Sequence, residues 1–598
     1  MGEKMPNNGN MSGTHINRRS FIKGVAATGA MATIASAHPA SAAESTTENR
    51  SAAKSWRDRP DPIDESLISD GGTYDVVVVG GGNAGLICAC AAFYKGASVA
   101  VIENQTEKAY VPGSGKEVGH VNSEYAMSQG APRINEDEFL REWARRMVIR
   151  HNPKRASYFV KNSGKILDRL IGLVDKEWMA NNCHIMSCPP KSTVLLEVSG
   201  WRFFYGTAIF LGKNQNAGKE MWPVLLKMHK AKAEAGGARW FFEHHAEICD
   251  LDGSGAVTGV VAKRTDGKYV RFKARKGVAL CAGDFSANRE MVVDILDDLR
   301  HQAEAQGDLN LVQVSRGMGL TRDGSGIKLG IWAGGHIEIG PRSTMGNGDP
   351  GTGAWYLQLD NNGERFCDEA AGTMLSRPKD AIAVTLTDAN WKKVIEMMPP
   401  RHMAPDTADS GGAMGGRLSY FDNVKPGPIS KGQQGGMPGG GMNGLPSVSG
   451  APCCGNTIEE LIDYMGCYKG DTRKKALAEI IRYNRMCEKG VDEDFGKDPR
   501  IMKVTGLKDP PFYGVLGNYN GPGMFGGISP GMCATTGLDT DAEGCVLNSE
   551  FKPIKGLYAA GNNAGGRFIT VYQSPLAGIS IGMAMTEGYM LGERLTAL

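Results

Sequence analysis

Residues 74–79 read YDVVVV and run directly into Gly80-Gly81-Gly82-Asn83-Ala84-Gly85. A continuous β-branched run marks a strand buried on both faces. An Ala-rich segment through Tyr94 then reads as a helix, and residues 97–102 (ASVAVI) as a second strand ending at Glu103 and Asn104. Strand, GxGxxG, helix, strand and terminal acid together specify a βαβ unit that seats a dinucleotide. Gly80 permits the tight turn, Gly82 admits a pyrophosphate to the helix N-terminus, and Gly85 lets the helix pack on the strand. Asn83 and Ala84 open that helix, Glu103 is placed to accept from ribose hydroxyls, and Asn104 follows it.

At 598 residues the chain exceeds one ordinary domain. A 41% hydrophobic content supplies ample core, and a net charge of +2 gives no reason to expect a nucleic-acid partner. The 81 glycines fit many tight turns and close approaches of backbone to ligand. The N-terminus carries Arg18-Arg19-Ser20-Phe21-Ile22-Lys23, an apolar Ala/Gly-rich run and small residues near Ala40-Ser41-Ala42. That order reads as a twin-arginine export signal over residues 1–42, with a linker over 43–73. It predicts a cofactor protein working outside the cytoplasmic membrane, with no membrane-spanning segment in the mature chain. The 13 cysteines are scattered, without a CxxCH haem motif or CxxC pairs. Cys88 and Cys90 read as small buried thiols in the first helix, and the set fits a reducing habitat better than a disulfide framework, with thiol ligation of an iron–sulfur cluster the alternative.

Further landmarks follow in order. Residues 276–286 (KGVALCAGDFS) contain Gly283 and Asp284; residues 324–335 read GSGIKLGIWAGG, 362–369 NGERFCDE, and 556–561 GLYAAG. Together these resemble the fumarate reductase/succinate dehydrogenase flavoprotein family, in its single-subunit secreted branch. Relatives there include urocanate reductases, gut-bacterial enone reductases and 3-ketosteroid dehydrogenases. The resemblance implies an α/β fold: a Rossmann-like FAD-binding domain of the two-dinucleotide-fold type, with an inserted α+β capping domain. FAD would be non-covalent. The FAD domain would comprise 74–336 and 498–598, the cap 337–497, with a Gly/Pro/Met-rich loop at 411–452. Within the cap, 457–464 and 472–487 read as amphipathic helices, with Thr457 and Glu460 as a capping box.

The resemblance also implies hydride transfer from flavin N5 to an activated double bond, with a side chain protonating the neighbouring carbon. The carboxylate clamp of fumarate reductases is not matched. Thr373 falls at the donor-arginine position, with Arg377 a loose substitute; 351–354 (GTGA) lacks the relay acid and arginine; Cys533 stands at the histidine position. The segment 556–578, GLYAAGNNAGGRFITVYQSPLAG, carries Arg567, Tyr572 and Gln573 among small residues. After Gly561 and Asn562 it is expected to pass the flavin and start a helix near Leu576, Ala577, Gly578 and Ile579, extending to about Leu591. Arg567 and Tyr572 would then sit at the flavin edge as stabiliser and proton donor; pairing of Arg567 with a cap carboxylate and packing of Tyr572 are the structural alternatives. Tyr519 is the second phenol. The expected activity is reduction of an aromatic acrylate, enone or steroid-like acceptor in anaerobic respiration, by a monomer or small homo-oligomer. A membrane-anchored multihaem cytochrome c or a quinone-linked donor would supply electrons. A 3-ketosteroid-type dehydrogenase and a non-enzymatic flavin electron carrier are the alternatives.

Overall fold

The computed structural model describes residues 55–598 apart from 114, 187–196, 199–200, 306, 316–320, 346–354, 371–383, 398–420, 429–451, 517–527, 569–571 and 573–574. Its largest sheet has eight strands. The first strand, Ile68–Val79, lies parallel between Val99–Ile102 and Tyr269–Leu280. Arg239–Phe241 extends the sheet on one side and Pro553–Ala559 on the other, both parallel, with Cys545–Leu547 as an antiparallel edge. His244–Leu251 and Val257–Arg264 add an antiparallel ribbon to Tyr269–Leu280. In register, Val79 pairs with both Ile102 and Leu280, and Leu280 with Ala559. Four parallel strands therefore end together, delivering Gly80, Glu103, Cys281 and Ala560 to one edge, where open α/β sheets bind ligands.

Two helices cover this edge's flank. Asn83–Tyr94 is buried along most of its length, and the C-terminal helix Ile579–Ala597 packs on it through glycines. A Cβ on Gly588 would lie 2.3 Å from the Ala84 carbonyl oxygen, and one on Gly592 2.3 Å from that of Cys88. The C-terminal helix starts at Ile579, later than expected, because Gly578 is left-handed (φ 69°), and it runs past Leu591 to Ala597. The first strand begins six residues before Tyr74, at Ile68. Its leading half, ISDGGT, is largely solvent-facing and lacks the apolar signature, but its backbone pairs with Tyr269–Lys273.

Part of the segment expected as a linker is docked. Trp56 is buried, its indole N–H donating to Asp294 at 2.9 Å, and Arg59 donates to the Trp332 carbonyl. In chain order between Tyr269–Leu280 and Cys545–Leu547, a second, four-stranded antiparallel sheet forms from Leu357–Leu359, Val384–Thr387, Phe512–Leu516 and Pro452–Gly455. Its third strand lies beyond residue 497, so this sheet continues past the expected end of the cap. Helices Ile458–Met465 and Gly470–Lys489 bury Leu461, Ile480 and Tyr483 with it. Thr457 caps the first helix by accepting the Glu460 N–H at 3.1 Å; the Glu460 carboxylate accepts from Asn456 N–H, one residue before the expected box. The NGERFCDE motif supplies the buried tie beside this sheet: Arg365 chelates Glu369 and Asp492, and Lys497 binds Glu369 at 3.0 Å. The twelve described cysteines are unpaired thiols, and no group of His, Cys, Asp and Glu suited to a metal occurs among the described residues. No described helix is long and apolar enough to cross a membrane.

Candidate cofactor and active site

One cavity runs along the carboxyl edge of the parallel sheet. At Gly80 (φ +92°) the chain turns where a Cβ would meet Ala282 Cα at 2.6 Å. Gly82 lines the cavity, and a Cβ there would meet nothing within 4 Å. Gly82 caps Asn83–Tyr94 without a side-chain hydrogen bond, leaving the first N–H groups for an anion. Asn83 and Ala84 join the wall, whereas Gly85 does not. Gly85 serves packing: a Cβ would lie 1.9 Å from the Gly80 carbonyl oxygen. Across the turn, Glu103 and Asn104 line the cavity. The Glu103 carboxylate accepts from Gly81 N–H at 2.8 Å and Gln105 N–H at 2.9 Å, which hold it facing inward.

The opposite wall comes from later segments. Gly283 is left-handed (φ +87°) with open space at its Cβ position, and Asp284 is buried, its carboxylate accepting Ser286 N–H at 2.7 Å. Asn563, which the sequence reading passed over, ties the halves together. Fully buried, it accepts Ala282 N–H at 2.6 Å and donates to the Gly283 carbonyl at 2.7 Å. Asn562 and Gly561 line the cavity, as do Gly578 and Ser580 at the start of the C-terminal helix. Leu576, Ala577 and Ile579 are buried behind them rather than on the wall; the Ala577 carbonyl accepts from the Thr207 hydroxyl at 2.8 Å. Gly578 caps this helix without a side-chain bond, giving the cavity a second helix N-terminus.

Tyr572 lines the cavity beside that N-terminus, its hydroxyl accepting Ser580 N–H at 3.4 Å. Burial raises the phenol's pKa, against the Ser580 bond, so it keeps its proton. Met345, Met532 and Cys533 complete this end; burial pushes the Cys533 thiol up to about 12. Arg567 does not line the cavity. It is 1% exposed, behind Asn562, whose side-chain oxygen accepts from its Nη2; its Nε donates to the Ala564 carbonyl at 3.3 Å. Arg567 is thus not at the cavity edge; among the described residues its hydrogen bonds stay within its own loop, no cap carboxylate pairs with it, and Nη1 is buried without a hydrogen-bond partner. Tyr519, Gln573, Thr373, Arg377, 351–354 and most of 411–452 lie outside the described residues, as does the N-terminal signal.

The sequence reading also missed the charged groups on the wall. Arg322, left-handed at φ +48°, donates to the Met532 carbonyl and lies 3.8 Å from Asp284. His245 is held between Asp323 at 3.0 Å and Glu247 at 3.1 Å, and hydrogen bonding to Asp323 and then Glu247 pushes its pKa up to about 9. Both belong to stretches without a recognisable spacing.

A glycine turn aimed at a pyrophosphate, an acid on the second strand and two open helix N-termini along one cavity define a dinucleotide-binding oxidoreductase fold. The FAD binding domain family matches residues 75–581, and the chain belongs to it. Its cofactor is FAD. The chain is 28% identical over 354 residues to vinyl phenol reductase of Lactiplantibacillus plantarum, covering 56% of this chain and 63% of that protein, less than two thirds of its length. Urocanate reductase of Eggerthella lenta is 23% identical over 571 residues, covering 91% of this chain and 78% of the relative. The solved 3-ketosteroid-Δ4-(5α)-dehydrogenase of Rhodococcus jostii RHA1 matches with a TM-score of 0.60 at 18% identity, over 88% of this chain and 98% of that one. That likeness concerns the fold.

Proposed function

We propose that this chain is an exported FAD-dependent reductase of the C=C bond in an α,β-unsaturated acceptor: an aromatic acrylate, an enone or a steroid-like compound. The carrying observation is the Tyr572 phenol beside Met345, Met532 and Cys533, with Arg322 next to Met532 on the same wall. The methionine and thiol surface suits a flat, weakly charged molecule, and the Arg322 guanidinium beside it is already engaged by the Met532 carbonyl and Asp284. Bound FAD supplies the hydride. Gly80, Gly82, Asn83, Ala84, Glu103, Asn104, Gly283, Asp284, Gly561, Asn562 and Gly578 would hold it, with Gly85, Leu576, Ala577 and Ile579 shaping the backbone behind them. The N–H groups opening Ile579–Ala597 favour negative charge beside them.

Tyr572 provides the proton. Its hydroxyl is neutral, stands beside the helix N-terminus, and can donate to the carbon next to the acceptor's activating group. The Ser580 N–H, which it accepts, stabilises the phenolate left behind. Arg567 acts indirectly, fixing Asn562 and adding positive potential. Electrons come, in this proposal, from a membrane-anchored multihaem cytochrome c or a quinone-linked donor, and Arg18-Arg19 directs export.

The test is anaerobic reoxidation of dithionite-reduced, FAD-loaded protein by fumarate, urocanate, hydroxycinnamates and a steroid enone. Reoxidation by a conjugated acceptor is expected to fall about 10²–10⁴-fold in Tyr572→Phe, with FAD content unchanged. Fumarate as the fastest acceptor would overturn the substrate class. Faster reduction of a dye by saturated steroid than reoxidation by any enone would reverse the direction assigned.

A further inference from the structure

We infer that Glu338 is the positioning residue of the acceptor end, fixing the Arg567 loop and setting the net charge behind Asn562. This rests on the reading of the cavity as an FAD and acceptor site. The Glu338 side chain is 3% exposed. Its Oε1 accepts Gly537 N–H at 3.0 Å and its Oε2 accepts Gly566 N–H at 2.6 Å, so one carboxylate joins two chain reversals. The Glu338 backbone N–H returns to the Gly537 carbonyl at 3.0 Å. Gly565 has no room for a side chain because Glu338 Cβ and Cδ would lie 2.8 Å from its Cβ. The loop entering Arg567 is therefore folded around this carboxylate.

Four buried charges meet there. Arg155, from helix Pro153–Ile171, binds Glu587 of the C-terminal helix at 3.1 Å and donates to the Gly565 carbonyl at 2.6 Å. Glu587 faces both arginines and acts on Arg567 ahead of Glu338, so Glu338 is the second carboxylate of the cluster; Arg567 Nη1 has no hydrogen-bond partner among the described residues. Arg567 and Glu338 interact through space without an ion-pair contact among the described residues. The other titratable groups facing the cluster are Cys533 and Tyr572 on the wall, both within reach of Arg567, and Asp539 and His336, which lie 3.7 Å apart and are partly exposed. They give Glu338 a neighbourhood that reaches solvent.

Burial raises the Glu338 pKa to about 7, opposed by the Gly566 and Gly537 N–H groups and by Arg567, and assisted by Asp539. Above that pH the cluster sums to zero; below it, one positive charge remains, one side chain behind the cavity wall. An anionic acrylate and a negatively charged reduced cofactor both gain from that charge.

Two readouts on FAD-loaded protein test this. The midpoint potential, measured without acceptor between about pH 5.5 and 8.5, is expected to bend near neutrality in the native protein. In Glu338→Gln the bend disappears and the low-pH line persists. In Asp539→Asn the bend moves to lower pH, since a neighbouring anion is lost. The dissociation constant of cinnamate, relative to uncharged cinnamide, is expected to fall about tenfold from the high to the low end of that range, and to become pH-independent in Glu338→Gln. An unchanged bend in Glu338→Gln, with native FAD content, would overturn the inference. A bend lost as expected in a protein that no acceptor reoxidises would leave Glu338 in place and remove the reductase reading instead.

Discussion

The nucleotide end and the acceptor end of this cavity are built by opposite means. At the first, backbone does the work: Gly80 turns, Gly82 leaves space, Gly85 closes the helix on the strand, and the helix N-terminus lines the cavity. At the second, side chains from segments hundreds of residues apart are brought together, as in Asn563 to Ala282 and Glu338 to Gly566. Backbone sites demand glycines at fixed spacing, so they leave a sequence signature. Side-chain sites demand only that distant loops meet, which leaves none. The two should also fail differently: damage to the first should remove the cofactor, whereas damage to the second should leave it bound and alter chemistry.

The sharpest break is Gly85→Val. A Cβ 1.9 Å from the Gly80 oxygen cannot be accommodated without separating helix from strand. We expect a loss of about 3 kcal/mol or more in urea unfolding and no FAD retained on gel filtration. An FAD-loaded Gly85→Val protein would show that the turn tolerates displacement and that the contrast between the ends is overstated.

Asn563→Ala tests the point where the two ends join. It removes both bonds of a buried amide and leaves the Ala282 N–H without its acceptor, a cost of about 1–3 kcal/mol. Unlike Tyr572→Phe, it is expected to weaken FAD retention as well as stability. Asn563→Asp restores the acceptor but not the donor to Gly283, so it should recover only part of the loss. Full recovery by Asp would place the whole effect on Ala282.

These differences explain what could be read before the structure. The strand at 74–79, the turn and the second strand were legible because burial and backbone geometry restrict each residue. The first strand's leading half was not, because SDGGT carries no apolar side chain and pairs mainly through its backbone, with the Ser69 hydroxyl donating to the Tyr269 carbonyl. The late start of the C-terminal helix follows from the left-handed Gly578 and from Gly588 and Gly592 against Asn83–Tyr94, a tertiary constraint that helical periodicity does not carry. Tyr572, expected together with Arg567 where the segment after Gly561 passes the flavin, could be placed on the cavity. Arg567 could not, because its burial depends on Glu338, Arg155 and Glu587, none near it in sequence. NGERFCDE was readable as a landmark, whereas its role, an ion-paired tie inside the inserted region, depends on Asp492 and Lys497 arriving from beyond Gly470–Lys489.

His245 is the exception that refines the contrast, a side-chain device at the nucleotide end. Its ring bridges Glu247 on its own strand and Asp323, which also accepts the Ser325 N–H at 2.9 Å beside the helix Ser325–Trp332. Burial alone would raise the Asp323 pKa, but the bonds from His245 and Ser325 win and lower it. The His245 pKa rises from the ordinary 6.5 to about 9 in the folded chain. A group raised on folding stabilises fully below its unfolded pKa and loses that contribution as pH climbs through the folded one. Stability and FAD retention should therefore fall between about pH 6.5 and 9. A third of the ring is exposed, so solvent screening reduces the effect to about 1 kcal/mol. His245→Gln should flatten urea midpoints across that window while leaving the bend assigned to Glu338 intact, since the two groups act at different parts of the wall. If His245→Gln instead removed the bend in midpoint potential, proton coupling would belong to the nucleotide end, and the division of labour between backbone and side chains would have to be redrawn around the imidazole.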